Sequence, residues 1–451
     1  MRSKILCIIL SLLFIHNMEA QNIKNAFRLE ADIPQTIDKL YFGQYWLGQS
    51  YAIDSVIPTN GNAVFTKEKQ LDPGEYFIYS KTGLLIKLLL DKGQDNIRIS
   101  VNPSDPKQSK ISGSEDTRLF WQYQTLSQKA EGLKKSLEKK TNKDESDELK
   151  RLQNDISDLI AKHPGTWFAT YAKGDTPITL PFPKPKNVDE FYSNKHYGRT
   201  HYFDNVDLTD PRLWRSSYLT SMINTYMSTW IEQIPDSLAT AASEIVAKTK
   251  GNDLCFKEML SYFTNTSLKS KNMGSENVWA KLYEDYIRGY DVPWITIEQR
   301  GELSQKYETI KMNRIGMTAQ RLQLETIDGK PIDTGEINAD FLILYFYDHN
   351  CHHCQETIPK AHELYKVYKD KGVKMVAIDI NNNKEEMVSF IEKHNLRDWI
   401  NGADPNYKSK FWLYYNISFV PAIYILNKDK KIVAKDIDSD TIKKVLEFYI
   451  K

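Results

Sequence analysis

The stretch FLILYFYDHNCHHC, residues 341–354, decides how the chain reads. Its first seven residues, Phe341 to Tyr347, form a continuous apolar run of strand length. A strand without polar alternation is buried on both faces, as in the middle of a parallel sheet. Asp348, His349 and Asn350 end the run, and a helical pattern extends from Cys354 to about Lys369. Cys351-His352-His353-Cys354 opens that helix. Cysteines at i and i+3 meet on one helical turn, close enough for a reversible disulfide. The unpaired N–H groups and positive end of the helix favour a thiolate on Cys351. That thiolate would attack a partner disulfide, and Cys354 would resolve the mixed disulfide. A protonated His352 or His353 would favour the thiolate further. Stabilising the reduced form makes the disulfide a better oxidant, so the expected potential is less reducing than about −270 mV.

Downstream, strand and helix alternate. Lys374–Ile380 reads as a second strand, Lys384–His394 as a helix, and Ala422–Leu426 as a third strand. Asn427–Lys430 turns that strand into Lys431–Lys435, a hairpin, and a last helix runs from about Asp440 to Tyr449. Helical crossovers make the first two strands parallel.

These residues together resemble the thioredoxin fold over 316–451, in particular exported thioredoxin-like proteins of the TlpA/ResA type. Gly329-Lys330 is similar to the family's leading hairpin. Pro359, five residues after Cys354, matches the proline that kinks the family's first long helix. Val420-Pro421, just before the third strand, matches its cis-proline. The resemblance implies a thiol–disulfide oxidoreductase with Cys351 and Cys354 as the catalytic pair, tuned by His352 and His353. It implies that Val420 and Pro421 hold a substrate chain. It implies no cofactor beyond the redox-active Cys351–Cys354 disulfide. The implied partners are protein thiols or disulfides and an unidentified redox donor or acceptor, and a membrane-associated redox partner is compatible with them.

The chain also departs from the family. Asn350 stands where Trp usually precedes the first cysteine. Thioredoxin's buried acid falls at Tyr345, and the acid of many TlpA/ResA-type reductases falls near Asn382, in the polar run Asn381–Asn383. Asp348, Asp379 and Glu385 are candidates to replace it. His349 and His362 read as surface or packing residues.

Upstream of 316 the patterns differ. Phe27, Leu29, Ala31 and Ile33 alternate with polar residues, as do Tyr76 with Ile78 and Ile97 with Ile99 and Val101. Turns at Asn60-Gly61 and Pro73-Gly74 separate them, which suggests a small antiparallel sandwich over 21–113. Leu126, Ala130, Leu133 and Leu137, then Leu149, Leu152, Ile156 and Leu159, step at helical spacing around the polar break Asn142–Asp147. That pattern is a helical hairpin. Prolines 177, 181, 183 and 185 enforce an extended strap. Helical patterns resume to 315, with Trp214, Trp230, Trp279 and Trp294 as core candidates and Cys255 as a buried thiol. The expected class is multidomain α+β. A β-sandwich-like domain at 21–113 precedes a helical domain at 114–315 and a thioredoxin-like α/β domain at 316–451.

The chain has 451 residues, with 60 basic and 59 acidic side chains. That balance excludes the usual electrostatic basis for nucleic-acid binding. Four cysteines exclude a disulfide-stapled scaffold. Arg2 and Lys4, the apolar run Ile5–Ile15 and Ala20 read as a signal peptide over 1–20. Its removal takes Arg2, Lys4 and Glu19, which leaves net charge zero, and discards Cys7. The expected location is the periplasm or cell envelope. Two other readings remain open. Two thiols and two imidazoles invite copper or zinc, so CHHC could serve a metal carrier, although four consecutive residues cannot easily close a tetrahedron. Alternatively, the chain is a binding module with a vestigial redox domain.

Overall fold

A computed structural model describes residues 26–34, 37–102, 108–139 and 143–450. The expected signal segment 1–20, with Cys7, and Asn142 in the helical break lie outside the described residues. The chain divides into two compact units. The first holds the chain up to Pro177 together with Phe203–Val206 and Arg212–Ser221. The second holds Ile178–Tyr202, Asp207–Pro211 and everything from Met222 onward. The helical stretch 114–315 is therefore shared between them.

The first unit opens with eight strands: β1 (Phe27–Asp32), β2 (Leu40–Trp46), β3 (Gln49–Val56), β4 (Asn62–Lys67), β5 (Gly74–Tyr79), β6 (Leu85–Leu90), β7 (Asn96–Ser100) and β8 (Lys110–Ser112). They form two four-stranded sheets, β4-β1-β7-β8 and β3-β2-β5-β6. Phe27 and Phe65 of the first sheet pack on Phe42 of the second at ring-centroid distances of 5.8 and 5.5 Å. The sandwich expected from the alternation is thus present, with one difference: β1 pairs with β7 in parallel. A second difference lies in β5, where Gly74, Glu75, Tyr76, Phe77 and Ile78 are all buried rather than alternating. The outer face is covered by α1 (Glu115–Lys139) and by the segment around Arg215. Trp121 Nε1 donates to Lys87 O at 2.8 Å, and Glu75 accepts from Ser217 N at 2.7 Å and pairs with Lys87 at 2.8 Å. That pairing is what permits a fully buried carboxylate. α1 and α2 (Lys143–Ala161) form the expected hairpin: Leu152 and Leu159 are buried and the other seam residues half-buried. α3 (Trp167–Asp175) follows, its N-cap Thr166 accepting from Ala169 N.

The second unit contains α4 (Val188–His201), then, after α5 (Leu219–Thr225) at the crossover, α6 (Pro235–Ala247), α7 (Asp253–Lys269), α8 (Glu276–Leu282) and α9 (Ile297–Ile310). Residues 177–187 carry no helix, as the prolines require. A seven-stranded sheet follows, in the order β10-β9-β13-β12-β11-β14-β15. Its strands are β9 (Gln323–Thr326), β10 (Pro331–Asp333), β11 (Phe341–Tyr347), β12 (Val373–Asp379), β13 (Ile400–Ala403), β14 (Ala422–Asn427) and β15 (Ile432–Lys435). The helices between them are α10 (His352–Tyr368), α11 (Lys384–Lys393), the short α12 (Phe411–Tyr414) and α13 (Ser439–Tyr449). β11 and β12 are parallel, as the helical crossover dictates, and β14 runs antiparallel to β11.

Strand β11 separates two cores. Ile343, Tyr345 and Tyr347 face α10, α11 and α13, where they meet Ile358, Phe390 and Leu446. Leu342, Leu344 and Phe346 face the other way, toward Leu324, Phe411 and Tyr415. Burying each such side chain is worth roughly 1.5–3 kcal/mol, and a one-residue slip would exchange the two faces. Gly316–Ala319 runs along the free edge of β15, with Ile432 N donating to Met317 O at 2.9 Å.

Just before that edge, buried Lys435 reaches into the helical part of the unit. Its Nζ lies 2.9 Å from Asn313 Oδ1 and 3.2 Å from Glu276 Oε1. K435M leaves the buried Asn313 amide and the partly buried Glu276 carboxylate without the ammonium. It should cost roughly 3 kcal/mol, read as a lower denaturation midpoint, and E276L in the same background should recover most of it.

Candidate active site

The site forms where β11 ends and α10 begins. Asp348 turns the chain: its Oδ1 accepts from Asn350 N at 2.7 Å and from Asn381 Nδ2 at 2.5 Å, and Cys351 N donates to Asp348 O. Cys351 is the N-cap of α10, and its sulfur accepts the Cys354 N–H at 3.4 Å. One orphan donor of the helix is thereby satisfied by the sulfur itself. Cys351 is half-buried and Cys354 fully buried. Burial, first of all, pushes the Cys354 thiol up to about 12, and the neighbouring Cys351 adds to it.

Val420 and Pro421 face this pair. The Val420-Pro421 bond is cis, as the resemblance implied, and Val420 O lies 3.8 Å from Cys351 Sγ. A cavity of about 400 Å³ opens beside them, lined among others by His353, Lys360, Phe419, Pro421 and Asp438. His353 is exposed on its rim. His352 is 87% exposed and lies 3.7 Å from Glu356 Oε1. Asn350 is exposed, its Nδ2 3.3 Å from Glu386 Oε2. Pro359 lies inside α10.

The candidate acids separate. Asp348 acts on Cys354, its backbone favouring the thiolate and its charge opposing it. Asp379, at the end of β12, is completely buried, and burial raises its pKa against its hydrogen bonds. Glu385 lines a second cavity with Glu386 on the far side of the loop. Asn381–Asn383 turn out to be turn and cap chemistry. Asn382 has φ +59° and accepts from Asp404 N, and Asn383 caps α11. Tyr345 places a hydroxyl 3.1 Å from Thr357 Oγ1, with both cysteines nearby, and burial raises its pKa strongly. It carries no charge to accept a proton at neutral pH.

The two histidines read as surface or packing residues differ in the structure. His362 is a packing residue, bonded to Asp398 at 2.8 Å and edge-on to Trp399. His349 is neither surface nor apolar packing. It is buried, with Nδ1 2.6 Å from Asp379 Oδ2 and Nε2 2.5 Å from Glu386 Oε2. Position next to a strand end and two residues before Cys351 was the signal available for it; its partners, 30 and 37 residues away, were not.

Cys255 is buried in α7 and donates to Thr209 O at 3.3 Å. Among the described residues, no group of three or more His, Cys, Asp or Glu side chains converges as a metal site. The metal-carrier reading is not favoured.

Comparison with known proteins bears on the C-terminal region. A family model described as thioredoxin-like matches residues 338–432. The thiol-disulfide oxidoreductase ResA of Bacillus cereus is 28% identical over 138 residues, which cover 31% of this chain and 78% of that protein. Among solved structures, a domain of a possible thiol-disulfide isomerase from Cytophaga hutchinsonii is 30% identical, covering 30% of this chain and 92% of that one, with TM-score 0.29. A thioredoxin-like protein from Bacteroides caccae is 22% identical, covering 61% of this chain and 99% of that one, with TM-score 0.40.

The unequal burial of the two thiols has a direct consequence. Iodoacetamide should label Cys351 first, with Cys354 protected below about pH 10. Peptide mapping that found Cys354 labelled before Cys351 would contradict this geometry.

Proposed function

From the membership of the C-terminal domain in the thioredoxin-like family, homologous to the ResA thiol-disulfide oxidoreductases, we propose an exported, cell-envelope enzyme whose working pair is Cys351 and Cys354. The observation that carries this reading is the asymmetric pair at the head of α10, its outer sulfur 3.8 Å from the carbonyl before Pro421. That carbonyl and its neighbours offer backbone groups to an extended client chain, and the cavity beside them offers room for its side chains.

As a reductase, the pair works in two displacements. The Cys351 thiolate attacks one sulfur of a client disulfide. A Cys351–client S–S bond forms, the client S–S bond breaks, and the released client thiolate takes up a proton. Cys354 then gives up its proton and attacks Cys351 Sγ. The Cys351–Cys354 bond forms, the mixed disulfide breaks, and the second client sulfur leaves and takes the proton. The client gains two electrons and two protons, and the enzyme disulfide returns to dithiol through an external thiol reductant. Run backward, the same steps oxidise a client dithiol. His352 and His353 flank the reacting sulfur in sequence and, when protonated, stabilise its anion.

Export is supported by the sequence at 1–20. No helix among the described residues is long and apolar enough to cross a membrane.

Two variants test the proposal. C351A should abolish turnover of a disulfide substrate. C354A should arrest the cycle at the mixed disulfide, so that envelope proteins co-purify through a bond to Cys351 that dithiothreitol releases. Full turnover by C351A would exclude Cys351 as the nucleophile.

A further inference from the structure

His349 lies two residues before Cys351, and both its ring nitrogens point at carboxylates from different elements. Asp379 comes from the end of β12 and Glu386 from the first turn of α11. The same loop is fastened at its other atoms. Gln355 Nε2, from the first turn of α10, donates to His349 O at 3.0 Å, and Asn350 Nδ2 donates to Glu386. The imidazole thus ties the segment that delivers Cys351 to two elements at once.

Proton counting narrows what state does this. A neutral imidazole donates through one nitrogen and presents a lone pair on the other. Facing two ionised carboxylates, it would make one hydrogen bond and one repulsion. Two short contacts need two protons among the three groups. An imidazolium between two carboxylates supplies them, as does a neutral imidazole accepting from a protonated Asp379, the alternative that nitrogen NMR of the ring distinguishes. Burial opposes charge on His349, but the Asp379 and Glu386 hydrogen bonds overcome it and raise its pKa. The other charged groups nearby are Asp348 on the loop itself, and Glu385 and Lys393, which line the cavity beside it.

We propose that His349 is a positioning residue for Cys351, holding the β11–α10 loop through both ring N–H groups. Loss of one ring proton releases one of the two ties. The clamp is complete below the ordinary imidazole range and is lost as pH rises through the elevated value of the folded state. This rests on Cys351 being the reacting thiol. A misplacement of about 1 Å at a reacting group costs up to about a hundred-fold in rate, so a loosened loop should cost about ten-fold.

The test measures the alkylation rate of Cys351 against pH in full-length protein carrying C354A, normalised to thiolate fraction by ultraviolet absorbance. The normalised rate should fall about ten-fold across the alkaline release of the clamp. E386Q should remove that fall, because its amide can donate to the lone pair of a neutral imidazole and keep both ties. H349F should be slow at every pH. Nitrogen NMR of the imidazole in otherwise unaltered protein supplies a readout independent of thiol reactivity and of how the variants fold: both ring nitrogens should be protonated at neutral pH. A neutral His349 imidazole at that pH, or superimposable profiles for the C354A protein with and without E386Q, would overturn the proposal. Neither result depends on turnover, so loss of the oxidoreductase reading itself would appear separately, as activity surviving in C351A.

Discussion

Strand β11 is buried on both faces, and that burial decides where the Cys351 sulfur stands. Ile343, Tyr345 and Tyr347 are committed to the core under α10, while Leu342, Leu344 and Phe346 are committed to the opposite one. Neither face can slide without exposing the other's side chains to the wrong partners. The strand therefore ends at one place, and the four residues after it must carry the chain into α10. Cys351 sits at that junction because β11 has no freedom to put it elsewhere.

The two thiols then differ by depth rather than by type. Cys351 lies at the helix start, half-buried, opposite the carbonyl of Val420. Cys354 lies one turn deeper, where burial holds its proton. On the proposed function, a pair with this asymmetry would react through the outer sulfur and keep the inner one protonated until a mixed disulfide stands above it. The loop between strand and helix is fixed by polar ties, with Asp348 held by Asn381 and His349 by Asp379 and Glu386. Apolar packing sets the frame, and these ties set the last few ångströms.

Much of this was legible in the sequence because it is local. The unbroken apolar run at 341–347, the spacing of Cys351 and Cys354, and the prolines at 359 and 421 all lie in short windows with fixed periods. So do the seams at 126–137 and 149–159, which the structure pairs as α1 and α2. What escaped is non-local or short. β13 is four residues long and contains Gly402, so it has neither length nor alternation. β5 looks half-buried by its alternation but is covered on its outer face by residues about 140 positions away, Arg215 against Gly74 and Ser217 on Glu75. The work of Asn381–Asn383 is not legible in the sequence because a cap and a left-handed turn carry the same polar composition as a site. His349 looked ordinary because both of its carboxylate partners arrive from other elements.

The central claim is that Cys351 and Cys354 exchange two electrons as a pair. The most direct measurement equilibrates the intact protein in thiol–disulfide buffers of graded potential, quenches with an alkylating agent and weighs the products. The account predicts concerted loss of two alkylation sites, mapped to Cys351 and Cys354, along a two-electron curve of about 30 mV per decade. Its midpoint should lie above about −270 mV, and Cys255 should remain a thiol throughout. Independent titration of the two cysteines, or a midpoint well below that value, would contradict it.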